Sequence, residues 1–147
     1  MNTHLVLRVV SKLLIPIIIV YALYVQFHGD YSPGGGFQAG VIMAVAVILY
    51  ALIFGVDAAK AAVPPIAARI GAACGVLLFA GVGVAAWIKG GLYLDYDALI
   101  ADQSHHAGQH LGILLVELGV LLTVSSVMLA IFYAFAGRAP DIPEEEW

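Results

Sequence analysis

The chain has 147 residues, 63% of them apolar and 11% charged, with a formal net charge of −4. A soluble domain carries about 25% charged residues, so a water-exposed fold of this size could not cover so much apolar surface, whereas lipid can. The negative charge comes from one terminal tail, Asp141, Glu144, Glu145 and Glu146, which leaves no basic field for nucleic acid. The single cysteine, Cys74, excludes a disulfide or a thiolate metal site within the chain.

In chain order, the first apolar segment covers residues 5–27, with Arg8 and Lys12 near its start, placed to snorkel toward headgroups. A basic start and an apolar middle are also features of a signal peptide. However, no small-residue cleavage site follows, and Tyr21, Tyr24 and Gln26 interrupt the run. Next comes His28-Gly29-Asp30-Tyr31-Ser32-Pro33-Gly34-Gly35-Gly36, in which a proline followed by three glycines breaks any continuous helix. The second span covers 37–56, a loop closed by Pro64-Pro65 follows, and the third span covers 66–88. A polar stretch over 89–109 leads to the fourth span, 111–135, and residues 136–147 form an acidic tail. Each span has the roughly 20 residues needed to cross a ~30 Å hydrocarbon core. The expected fold is an all-α integral membrane protein, a bundle of four transmembrane helices.

Lysine and arginine set the orientation. If the spans alternate, Arg8, Lys12, Lys60, Arg69 and Arg138 fall on one side and only Lys89 on the other. Both termini are therefore expected to be cytoplasmic, with the His28–Gly36 turn and the 89–109 loop outside. Trp87 and Tyr93 would be aromatic anchors at the outer interface. Gly36 and Gly40, Gly71 and Gly75, and Gly108 and Gly112 have the small-xxx-small spacing that lets helix backbones approach closely in lipid. Three such pairs in one short chain suggest a subunit packed against others; packing inside its own bundle is the plainer alternative.

No phosphate loop, nucleotide fingerprint, nucleophile elbow or Cys/His metal spacing is present, so neither a stand-alone enzyme nor a cofactor is expected. The Pro33-Gly34-Gly35-Gly36-Phe37 run opens a helix but has no lysine to hold a phosphate; it reads as a tight re-entry turn with Phe37 at the bilayer edge. Glu117 is the conspicuous residue. Counted from a span starting at 111, it lies roughly 9 Å deep, and an acid inside a span is a functional candidate by default. The alternative is a hydrogen-bonded structural carboxyl tying two helices together. If the helix extends far enough back, His110 and His106 fall within roughly 20° of the Glu117 direction. A His–His–Glu stripe is the form a proton relay would take; two solvated loop histidines beside an unrelated acid are the other reading. His106 and His110 alone are too few ligands for a metal.

The stretch His28-Gly29-Asp30-Tyr31-Ser32-Pro33-Gly34-Gly35-Gly36-Phe37-Gln38-Ala39-Gly40 resembles the signature of the B subunit (the MnhB/MrpB family) of Mrp-type multi-subunit sodium/proton antiporters. The segment around Glu117, from Gly112 to Val120, resembles the matching span of that subunit. The likeness covers nearly the whole chain. Ala39-Gly40 stands where many members have Gly-Gly, and some members place an Asp near the Glu117 position. The resemblance implies an accessory membrane subunit of a complex that exchanges sodium ions for protons in the bacterial plasma membrane. Its partners would be subunits of the A, C, D, E, F and G types, together with lipid. A related four-span subunit of hydrogenase-type respiratory complexes, and a purely structural scaffold, are the rival readings.

Overall fold

The computed structural model describes residues 4–29, 33–100 and 105–138, without the side chains of His4, His105 and His106. Asp30 and the tail from residue 139 onward lie outside the described residues. Among the described residues there are five α-helices: α1 (His4–Phe27), α2 (Gly36–Phe54), α3 (Val56–Ala62), α4 (Pro65–Ile88) and α5 (His105–Ala136). Four of them, all but α3, are long and apolar enough to cross a membrane. In lipid an apolar run has no water for its backbone amides, so it satisfies them internally as helix.

The helix ends follow local chemistry. Pro65 opens α4 at a position where its missing N–H costs nothing. Gly90 and Gly91 close the same helix with amides that donate to Trp87 and Ala86, a Schellman arrangement in which Gly90 takes φ 90°. Between α2 and α3 the chain turns at Gly55, so the Ala-rich 56–62 segment is a separate short helix within the connection to α4. Asp57 in its first turn and Lys60 in its last complement the helix dipole. Pro16 lies inside α1 on an exposed face. α5 begins at His105, six residues before the apolar run at 111, because the polar His105–His110 segment continues the helix.

The spans pack in series, α1 on α2, α2 on α5 and α5 on α4, with α5 the best-packed element. α1 presents a helical stripe of Ser11, Ala22, Val25 and Gln26. At the far end of that pair, the Lys12 ammonium lies 5.7 Å from the centre of the Phe54 ring. α2 buries only small residues, Gly36, Ala39, Gly40, Ala44, Ala46 and Ala51, which is what a helix enclosed between two neighbours requires. α2 and α5 run parallel: Gly36 lies against Glu117, and Gly40 against Leu121 and Val124. α4 runs antiparallel to α5, with Gly71 against Ser126 and Gly75 against Thr123 and Gly119. At the basic end, Ala44, Ala51, Ala59, Ala68, Leu129 and Tyr133 form the core. There the Tyr133 hydroxyl donates to the carbonyls of Ala59 at 3.2 Å and Val63 at 3.0 Å, fastening α5 to the end of α3.

The glycine pairs correct the sequence-based expectation that they face other subunits. Gly36/Gly40 and Gly71/Gly75 both meet α5, and Gly108/Gly112 meet the chain's own loop, where Tyr96 packs on Gly112. Tyr93 fills a similar notch at Gly83 on α4. Between the two tyrosines Leu94 takes φ 65°, a left-handed conformation costing about 1–2 kcal/mol in a non-glycine residue. The Lys89 ammonium donates to the Leu99 carbonyl and closes this loop over the short 3-10 turn Tyr96–Leu99.

Candidate functional site

Glu117 is partly buried on the side of α5 that meets the junction of α1 and α2. A Cβ added to Gly29, just past the end of α1, would lie 2.8 Å from both carboxylate oxygens of Glu117. One on Gly35 would lie 2.7 Å from Oε1, and one on Gly36 would overlap the Glu117 carbonyl oxygen and come within 2.8 Å of its carbonyl carbon. Real Cβ atoms do not approach so closely, so a side chain at Gly29 or Gly35 would displace the Glu117 carboxyl, and one at Gly36 would have to move backbone. Gly35 adds a second requirement, since its φ of 112° is a conformation that side chains disfavour. Gly35 and Gly36 thus form a seat for one particular carboxyl, with Gly29 as its other wall.

The seat lies at the start of α2. Its N-cap residue, Gly35, has no side chain to cap it, and the Ala39 N–H donates to Gly35 O at 3.0 Å. The amides of Gly36, Phe37 and Gln38 belong to the first turn, which makes no intrahelical bonds. A helix N-terminus carries partial positive charge, so the Glu117 carboxylate occupies the place where an anion is favoured, supplied by a neighbouring helix.

The other sequence candidates divide. His28 is half-buried and stacks on Tyr24 at 5.0 Å, and Tyr24 stacks in turn on Tyr21, forming an aromatic row along the last turns of α1. Pro33 and Gly34 are exposed, and Phe37 is 67% exposed. Asp30 is outside the described residues. His110 is exposed, two turns ahead of Glu117 or about 10 Å along the axis. The helix does extend back through residue 106, but the His106 side chain is outside the described set. Twelve residues, roughly 18 Å of helix, separate the start of α5 from Glu117. Among the described residues no three His, Cys, Asp or Glu side chains converge as a metal site would require.

Sequence reasoning passed over Gln26. It is 1% exposed on the α2-facing stripe of α1, and neither its Oε1 nor its Nε2 has a hydrogen-bond partner among the described residues. The available signal was a long polar side chain in the last turn of an apolar span, three residues before Gly29.

What the arrangement can do chemically is limited and specific. One carboxyl, backbone amides and a helix dipole can hold and release a proton at a defined atom.

Comparison with known proteins follows the same line. Residues 6–130 match the family model described as a domain related to the MnhB subunit of Na+/H+ antiporter. Proteins of Staphylococcus aureus strains Newman, JH1 and COL, each bearing the provisional name antiporter subunit mnhB2, are 33% identical to the chain over 141 residues, covering 92% of this chain and 96% of theirs.

Proposed function

Because this chain belongs to the MnhB family of Na+/H+ antiporter subunits, we propose that within such a complex Glu117 carries protons at the α2–α5 seam. The chain is a multi-pass membrane subunit of a multi-subunit Na+/H+ antiporter. In our reading it sits in a bacterial plasma membrane with both termini cytoplasmic and assembles with subunits of the A, C, D, E, F and G types. One observation carries the reading: the Glu117 carboxyl is seated between Gly29 and Gly35 at the open N-terminus of α2. When ionised, the group attracts the positive end of α2; when protonated, that attraction falls to a neutral hydrogen bond. A proton arriving at Glu117 therefore loosens the contact between two parallel helices, which gives a physical means of passing the event to neighbouring subunits. His110, farther along the same face of α5, is the candidate for delivering the proton.

Two substitutions test this in membrane vesicles containing the whole complex. Glu117→Gln keeps the shape and the hydrogen bonding but cannot release a proton. Glu117→Asp keeps the acid on a shorter arm. For a proton carrier, the glutamine variant abolishes or strongly reduces sodium-driven proton movement, while the aspartate variant retains part of it with a shifted pH optimum. A structural carboxyl gives the reverse order. Blue-native gels establish assembly in each case. An assembled Glu117→Gln complex transporting at the wild-type rate across pH would remove Glu117 from the proton path.

A further inference from the structure

The basic end of the molecule carries a second concave feature, remote from Glu117. A pocket of about 250 Å³ opens among the ends of three helices. α3 contributes Lys60, α4 contributes Pro65 and Arg69, and α5 contributes Ala130, Tyr133 and Ala134. Its walls are of two kinds. The alanines and the Tyr133 ring form an apolar floor, and the two cations form the rim. Neither Lys60 nor Arg69 has a carboxylate partner among the described residues, although Asp57 lies on the same short helix as Lys60. Tyr133 holds the pocket's shape, because its hydroxyl is already engaged with the carbonyls of Ala59 and Val63. The first turn of α4, opening at Pro65, adds its positive end to the same rim.

Position narrows the occupant. Arg69 is four residues into α4, about 6 Å from its start, and Ala134 is two residues from the end of α5. The pocket therefore lies where spans leave the hydrocarbon, at the depth of lipid headgroups. Basic pockets between spans at that depth suit the phosphate of an anionic lipid, and the apolar floor suits the first carbons of its acyl chains. Arginine presents a fork of donors to phosphate, and lysine a point charge beside it. We infer that the Lys60–Arg69 pocket is a binding site for the headgroup phosphate of an anionic phospholipid, which seals the joint between α3, α4 and α5.

The test uses the assembled antiporter complex, purified in detergent and stripped of lipid, with thermal melting followed as phosphatidylglycerol is added. Each cation near an anionic headgroup is worth roughly a fivefold change in binding. The Lys60→Gln/Arg69→Gln complex should therefore need roughly thirtyfold more phosphatidylglycerol for half-maximal stabilisation. Phosphatidylcholine should stabilise wild type and variant equally weakly, and inorganic phosphate should not stabilise either. Lys60→Arg/Arg69→Lys keeps both charges and should titrate like wild type, which separates loss of the site from a failure to assemble; if the glutamine pair does not assemble, Lys60→Gln alone should show the fivefold shift. An unchanged phosphatidylglycerol titration in the glutamine variants overturns the proposal. So does saturation by inorganic phosphate, which would mark a soluble-anion site. A chain ending at Arg138, lacking the four tail carboxylates, should titrate like the full chain; if lipid binds only after that truncation, the tail is the pocket's occupant and the inference fails.

Discussion

Replacing Gly36 by alanine adds one methyl group at the closest approach between two helices. The new Cβ would overlap the Glu117 carbonyl oxygen and lie 2.8 Å from its carbonyl carbon and 3.0 Å from its Cα. Carbon atoms settle at about 3.5–4.0 Å, so α2 must withdraw from α5 by roughly an ångström. The obstacle is backbone, which no rotamer change can move. Overpacking of this kind costs about 1–3 kcal/mol, or roughly a fivefold to more than hundredfold shift in an assembly equilibrium. The midpoint of a temperature ramp resolved on blue-native gels should fall for Gly36→Ala. It should not move for Gly81→Ala on α4, where an added Cβ meets nothing within 4 Å. Second-site changes sharpen the test. Gly29→Ala clashes with the Glu117 carboxylate oxygens, so Glu117→Ala should partly rescue it. The same change should leave Gly36→Ala unrelieved, since that clash is with the main chain. A Gly36→Ala complex with a wild-type midpoint, or one rescued by Glu117→Ala, would refute the close parallel seam.

Tyr133→Phe removes a buried hydroxyl bonded to two carbonyls and should cost about 1–3 kcal/mol by the same ramp; an unchanged midpoint would mean that the tie between α5 and α3 adds nothing. Gln26→Leu removes a buried amide that has no partner among the described residues and should raise the midpoint; a drop would show that another subunit satisfies that amide. The proposed orientation predicts that a cysteine replacing Leu92, in a Cys74→Ala background, reacts with an impermeant maleimide on intact cells. One replacing Glu145 should not, and the opposite labelling pattern would reverse the topology.

The four spans were legible because twenty apolar residues in a row admit one reading in lipid. The start of α5 was not, since His105, His106, Gln109 and His110 carry no hydropathy signal; what makes them helix is continuity with the helix that follows, and Tyr96 packing against Gly112 holds the loop against the N-terminal part of α5. The segment 56–62 was hidden in the same way, by a Pro64-Pro65 signal that marked the whole connection as loop. The spacing of the glycine pairs was visible, but spacing names a face and not the neighbour on it, and the neighbours are α5 and the chain's own tyrosine. Glu117 and the triple glycine were each conspicuous alone. Their contact joins positions more than eighty residues apart and depends on α2 and α5 running side by side in the same direction, which no local pattern encodes.

Serial packing also orders events during synthesis. α1 and α2 leave the ribosome consecutively and can pair at once. α4 follows, but its principal partner is α5, which is made last, and α5 also supplies the main connection from α4 back to α2. Until residues 105–136 are inserted, the nascent chain is therefore a helical hairpin and a solitary third span tethered by α3. That third span exposes Gly71 and Gly75 along its face, which later receive Ser126 and Thr123. A premature stop ahead of residue 105 would leave it permanently in that state, so quality-control proteases in the membrane would meet an unpaired glycine-faced helix and not a slightly shortened subunit.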